Sequence, residues 1–174
     1  MTTATILKES TLTVHFWNLA AYVNGRLVGD WVDLDACADY DEFTQQVDKV
    51  TLNAEEVMVS EQESDFGIKI PQFMSLADIW YAHQMLSEIG ENNREAFGDY
   101  LAYYGGLDYL DQAMRDFDDH YCGRWDSIED YAWDYAEDAY PDLAKVPPGF
   151  RVEIDTVAWE CDHWRSDNGH VFSS

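Results

Sequence analysis

An α+β fold is what this sequence predicts, and three observations carry that expectation. Residues 11–19 (T-L-T-V-H-F-W-N-L) are β-branched and aromatic, as a strand should be. Later stretches repeat apolar residues at helical spacing, behind capping residues or ahead of glycines. The composition, 47% hydrophobic and 15% aromatic, supplies a core that disordered acidic chains lack. The expected architecture is an elongated chain of small subdomains: an N-terminal antiparallel β-sheet with a helix, central helices and a C-terminal α/β part. Its 174 residues suit one globular domain or a few very small ones. We expect a mobile leader over 1–10, a small antiparallel α+β domain over 11–60, a helical domain over 61–106 and a C-terminal α+β domain over 107–174.

The elements follow in order. After the first strand, Asn24-Gly25 lies between Tyr22-Val23 and Leu27-Val28, a two-residue hairpin signal. The returning strand is expected over 26–33. Asp39-Tyr40-Asp41-Glu42 then opens a helix to about Val50, with Phe43, Val47 and Val50 on one face. Residues 55–60 (E-E-V-M-V-S) are a third strand, and 61–72 a loop or linker. Ser75 with Asp78 forms a capping box for a helix bearing Leu76, Ile79, Trp80, His83 and Leu86, ended by Gly90. A helix over 93–104 presents Phe97, Tyr100, Leu101 and Tyr104 and stops at Gly105-Gly106. Another over 107–119 presents Leu107, Leu110, Ala113, Met114 and Phe117, with Asp108, Asp111, Asp118 and Asp119 on its other face.

Ser127, with Asp130 three residues on, caps the next helix. Ile128, Tyr131, Ala132, Tyr135, Ala136 and Ala139 form its apolar stripe, and Trp133 lies off it. Pro141 and Pro147-Pro148-Gly149 break the chain. A strand over 150–154, a short helix turn capped by Asp155 (Ile154, Val157, Ala158, Cys161), a turn at Asn168-Gly169 and a closing strand over 170–172 complete the prediction.

The charge is extreme: 10 basic against 35 acidic residues leave a formal net charge of −25. Self-repulsion at that level works against compactness, and such a surface repels nucleic acid and anionic membranes. Residues 91–142 hold fifteen of the acidic residues and three basic ones, yet no part of the chain is neutral. Between Asp126 and Asp142 there are seven acids (Asp126, Glu129, Asp130, Asp134, Glu137, Asp138, Asp142) and no Lys or Arg. Asp130/Asp134 and Asp134/Asp138 are i,i+4 like-charge pairs, each unfavourable by a few tenths of a kcal/mol. A surface that accepts this cost without basic neighbours fits a positively charged partner.

Other chemistry is weakly signalled. His120-x-Cys122 and Cys161-x-His163 have one residue between ligands where structural zinc sites favour two to four. The runs starting at Asp33 and Asp116 lack the residues an EF-hand needs at its fifth and sixth positions. No G-x-S-x-G, P-loop or G-x-G-x-x-G occurs. We therefore expect no catalytic residues, no metal site and no cofactor. Three cysteines, no apolar signal core and no 18-residue apolar run suggest a cytoplasmic protein.

Charge density sharpens the reading. Duplex DNA carries one charge per roughly 1.7 Å of axis, so 25 charges correspond to about 12 base pairs, some 40 Å of duplex. Helix rise separates Asp130 from Asp134 by about 6 Å, comparable to neighbouring phosphates.

Two blocks carry a family resemblance. One is L-A-A-Y-V-N-G-R-L-V-G-D-W-V-D-L, residues 19–34; the other is C-G-R-W-D-S-I-E-D-Y-A-W-D-Y, residues 122–135. Over about 13–172 the chain resembles the ArdA antirestriction proteins, and the second block looks like that family's antirestriction motif. The resemblance implies a cytoplasmic, non-catalytic DNA mimic, encoded on mobile elements and forming curved homodimers. It would occupy the DNA-binding subunits of type I restriction–modification enzymes, blocking restriction and often modification. Carried over position by position, the motif falls on Gly123, Ser127, Glu129, Asp130, Tyr131, Ala132 and Tyr135. The expected mimic surface comprises Asp108, Asp111, Asp118, Asp119, Asp126, Glu129, Asp130, Asp134, Glu137 and Asp138. Gly123, Ser127, Tyr131, Ala132, Trp133 and Tyr135 are the candidates for building the scaffold or dimer. Two rival expectations are an acidic module binding another basic or nucleoid protein, and an acid-adapted domain whose charge serves solubility alone.

Overall fold

The computed structural model describes residues 12–147, 149 and 151–159. It shows an α+β chain in two compact units, Met1–His120 and Tyr121–Ser174. The leader, Cys161, His163 and the turn and strand expected over 168–172 lie outside the described residues.

The first unit begins with β1, Leu12–Asn18, the centre of a three-stranded antiparallel sheet ordered β2-β1-β3. Here β2 is Gly29–Asp33 and β3 is Val57–Ser64. Alternation along β1 sends Leu12, Val14 and Phe16 fully into the core and leaves Thr13, His15 and Trp17 half-buried or less on the opposite face. At the pairing with β3 the register slips: His15 faces Glu61 and Phe16 faces Val59. Ser60 is the extra residue of this bulge, and its hydroxyl lies 2.7 Å from His15 Nδ1.

The connection between β1 and β2 corrects the hairpin expectation. Leu19–Val23 forms a short helix, α1, where a two-residue turn was expected further on. Asn18 caps it by accepting from the Ala21 amide at 2.9 Å and donates its side-chain amide to Thr51 O. Asn24 ends it with φ −86°, and only Gly25 is left-handed at +74°. A type I′ turn needs positive φ at both central residues. Asn24-Gly25 therefore terminates a helix, and β2 starts three residues later than expected.

Helix α2, Tyr40–Thr51, is capped by Asp39, which accepts from the Glu42 amide; Glu42 in turn accepts from the Ala38 amide. Its Phe43 and Val47 are fully buried and close the core side of the sheet. Ring contacts run from Phe16 to Phe43 (6.0 Å) and on to Trp80 (5.5 Å, stacked). Trp80 belongs to α3, Leu76–Ser87, whose Ser75 cap and Asp78 partner form as expected. Gly90 is not its left-handed terminator: it has φ −58° and precedes the 3-10 turn Glu91–Asn93.

The stretch 61–72 is also corrected. Residues up to Ser64 extend β3, and Phe66, Ile68 and Ile70 alternate into the core. The segment lies against α4, Arg94–Tyr104, anchored by an Arg94–Asp65 ion pair of 2.8 Å and a Phe66–Phe97 edge contact. It returns to the sheet where the Val59 amide donates to Gln72 O. Helix α4 ends at Gly105 and Gly106, both with positive φ. A 3-10 turn, Leu107–Tyr109, leads into α5, Leu110–His120, which packs on α4 through Phe97–Phe117 (5.2 Å) and Tyr100–Phe117 (5.6 Å).

The second unit contains α6, Ile128–Ala139, a 3-10 turn Pro141–Lys145 and the single-turn α7, Thr156–Trp159. Asp155 accepts from the Ala158 amide, as expected of its cap. Residues 151–154, expected as a strand, lie in neither helix nor strand. A strand needs a partner ladder, and among the described residues this unit offers none. Its described part is helical.

Gly98 supports the corrected course of the 61–72 segment. A Cβ there would sit 1.7 Å from Phe66 O. Gly98→Ala gains about 1 kcal/mol of helix propensity but forces backbone apart at a cost of about 3 kcal/mol. We predict a net destabilisation of about 2 kcal/mol in urea unfolding; a variant as stable as the parent would refute the close packing.

Candidate functional site

The candidate site is a set of carboxylates placed by amphipathic helices. In α5 the apolar positions Leu110, Ala113 and Phe117 are buried against the rest of the unit. That rotation turns Asp111, Asp118 and Asp119 outward, and Asp108 in the preceding turn is exposed as well. Asp111 accepts from the Tyr81 hydroxyl at 2.5 Å. This hydrogen bond first, and burial second, push the Tyr81 phenol up. The fourth acid of the helix, Asp116, is half-buried and accepts from Gln112 and Tyr104. It is a structural carboxylate and no part of the open face.

In the second unit the sequence expectation of a capped helix holds. Ser127 Oγ accepts from the Asp130 amide at 3.1 Å and donates to Asp130 Oδ2 at 2.6 Å. Ala132 and Ala136 are buried. The stripe is only partly covered: Ile128 and Tyr131 are half-buried, while Tyr135 and Ala139 are exposed. Trp133, outside the stripe, is half-buried too. Asp126, Glu129, Asp130, Asp134, Glu137 and Asp138 are all exposed.

None of the ten predicted surface acids takes part in an ion pair among the described residues. Of the cations nearby in sequence, Lys145 pairs with Asp142, Arg151 with Glu153, and Arg115 donates to the Gln112 side-chain oxygen. The carboxylates thus present uncompensated charge, as a phosphate backbone does. Asp108, Asp111, Asp118 and Asp119 belong to the first unit and the other six to the second.

The residues carried over from the family motif do different work. Gly123 is left-handed at φ +91°, and a Cβ on it would stand 3.3 Å from Trp125 Nε1. The turn it allows lets Trp125 donate to Cys122 O at 2.7 Å and pack on Tyr131 at 5.5 Å. Trp159 adds edge contacts to Tyr131 (5.6 Å) and Tyr135 (5.8 Å). Gly123, Ser127, Tyr131 and Ala132 therefore organise the helix and its aromatic support, and Glu129 and Asp130 face solvent. Trp125 and Trp159 were missed as supporting residues because their contacts join the helix to chain outside its periodic repeat.

Among the described residues no group of three or more His, Cys, Asp or Glu side chains is placed to hold a metal ion. Among them, too, no helix is long and apolar enough to cross a membrane. The family model described as Antirestriction protein (ArdA) matches residues 15–174. The comparison with curated proteins gave no match.

Tyr131 reports on the folded motif. Burial, then its hydrogen bond with Cys122, raises its phenol from the usual 10 to about 12. A group whose pKa is higher folded than unfolded stabilises fully below its unfolded value and loses that contribution as pH climbs through its folded one. The Tyr131 contribution should therefore be constant below about pH 10 and vanish between about 10 and 12. Near-ultraviolet tyrosine titration of the parent should show late phenols, Tyr81, Tyr100 and Tyr131 among them, and Tyr131→Phe should remove one of them; an unchanged titration would contradict the assignment.

Proposed function

Because the chain belongs to the ArdA family of antirestriction proteins, we propose that it inhibits type I restriction–modification enzymes as a DNA mimic. The observation that carries this reading is that α5 and α6 each expose carboxylates that enter no ion pair among the described residues. α5 buries Leu110, Ala113 and Phe117, and α6 buries Ala132 and Ala136, so the acids are held on ordered backbone. Acids on helical backbone lose less chain entropy on docking than a disordered segment would, and a protein that neutralises phosphates can neutralise these carboxylates by the same counterion exchange. The DNA-binding subunits would see charge and spacing without base edges, which suits occupation independent of sequence. Restriction and modification both need that groove, so both should be blocked. The site of action would be the cytoplasm, where these enzymes meet DNA. No catalysis or cofactor enters the mechanism.

Mimicry by a summed field predicts redundancy. Inhibition should weaken steeply with added salt and yield to competing duplex DNA, while Asp130→Asn, Asp134→Asn or Asp138→Asn alone should change the inhibitory constant by less than about fivefold. Titrations of enzyme binding against salt and duplex check this. Salt-insensitive binding would sink the mimic reading, and a large loss from one substitution would indicate a specific contact.

We also propose that the second unit forms a homodimer contact. Trp125, Tyr135 and Tyr140 are each at least 40% exposed on it, an apolar surface of the sort that aromatic-rich interfaces cover. Sedimentation at micromolar concentration should give twice the chain mass, and Tyr135→Asp with Tyr140→Asp should return the monomer; a parent that sediments as a monomer would disprove it.

A further inference from the structure

The first unit also carries an open groove of about 740 Å³ between the 71–75 turn, α3 and the start of α5. Its makeup differs from that of the acidic helix faces. Leu107 and Leu110 form a buried floor. Phe73 stands 68% exposed and Tyr81 45% exposed at its walls. Among the described residues three carboxylates line it, Asp78, Asp108 and Asp111, and no basic side chain does.

The carboxylates are not equivalent. Asp78 is engaged by the Ser75 cap, and Asp111 accepts from Tyr81. Among the described residues Asp108 has no side-chain partner. Phe73 is held at the rim by a turn in which the Met74 amide donates to Pro71 O at 3.0 Å. An exposed phenyl, a phenol fixed by a carboxylate and a free carboxylate thus meet around one apolar floor. General charge mimicry does not need the apolar part.

We propose that this groove receives an arginine side chain, with its flanking apolar residue, from the DNA-binding subunit of the inhibited enzyme. The proposal rests on the mimic reading for the identity of the partner. A guanidinium is planar and weakly hydrated, so it can lie over an aromatic face while its N–H groups meet a carboxylate. Asp108 supplies the carboxylate, Phe73 and Tyr81 the faces, and the Leu107–Leu110 floor takes the apolar neighbour. A lysine ammonium, compact and strongly hydrated, would use the charge but not the rings. The groove would add short-range selectivity to a field that attracts any cationic surface.

Two measurements test this. Chemical-shift titration with acetyl-arginine methylamide should move the Phe73 and Tyr81 ring signals saturably. The lysine analogue should do so more weakly, and the Tyr81 shift should disappear in Phe73→Ala. No saturable shift, or equal shifts with both probes, overturns the proposal. Against the whole enzyme, Phe73→Ala should weaken binding about tenfold at every salt concentration and leave the steepness of the salt dependence unchanged. Asp108→Asn should weaken binding and make that dependence shallower. Parent-like affinity of Phe73→Ala overturns the groove. Loss of salt dependence in the parent sinks the mimic reading instead, and the probe titration still decides the groove.

Discussion

A net charge of −25 on 174 residues has to be held in by something, and in the first unit that is a run of aromatic contacts. Phe16, Phe43 and Trp80 join the sheet to α2 and α3. Phe66, Phe97, Phe117 and Tyr100 join the returning segment to α4 and α5. Large rings bury much apolar area per residue, so few positions suffice for a core. The remaining positions are then free to be acidic. Without those contacts the mutual repulsion of the carboxylates would favour expansion.

The same constraint explains where the few cations go. Arg94 is half-buried and paired with Asp65, where it ties the segment after β3 to α4. Lys145 and Arg151 pair locally in the second unit. Among the described residues, none of the ten named carboxylates on and beside α5 and α6 enters an ion pair with a cation. Leaving those faces uncompensated costs a few tenths of a kcal/mol per like-charge pair, which the buried alanines and aromatic contacts of each helix can absorb.

The motif at 122–135 has a divided role. Its glycine, serine, tyrosine and alanine shape a capped helix with aromatic support, and its acids lie outside. The exposed charge is thus spread over many carboxylates, whereas the motif's glycine, serine, tyrosine and alanine hold in place the helix that displays them. The groove beside α3 is of another kind. It combines rings and carboxylates that converge from two separated stretches, so it can distinguish one cationic group from another.

Much of this was legible in the sequence because the signals are local. Capping by Asp39, Ser75, Ser127 and Asp155 spans three residues, and a helical stripe repeats within a few turns, so both appear in any short window. The surplus of acids is a matter of composition, and the outward placement of the eight named carboxylates within α5 and α6 follows from those stripes. Tertiary structure decided the rest. Asn24-Gly25 closes a helix because Asn24 keeps negative φ and bonds back to Ala20 and Ala21. The 61–72 stretch looks like a linker in isolation, yet Phe66, Ile68 and Ile70 are core because Gly98, some thirty residues on, lets that backbone approach α4. The groove needs Phe73, Tyr81 and Asp108 brought together by packing of α3 against the start of α5. Local hydrogen bonding and periodicity are written residue by residue, but which surfaces meet depends on contacts whose partners lie far apart in the chain.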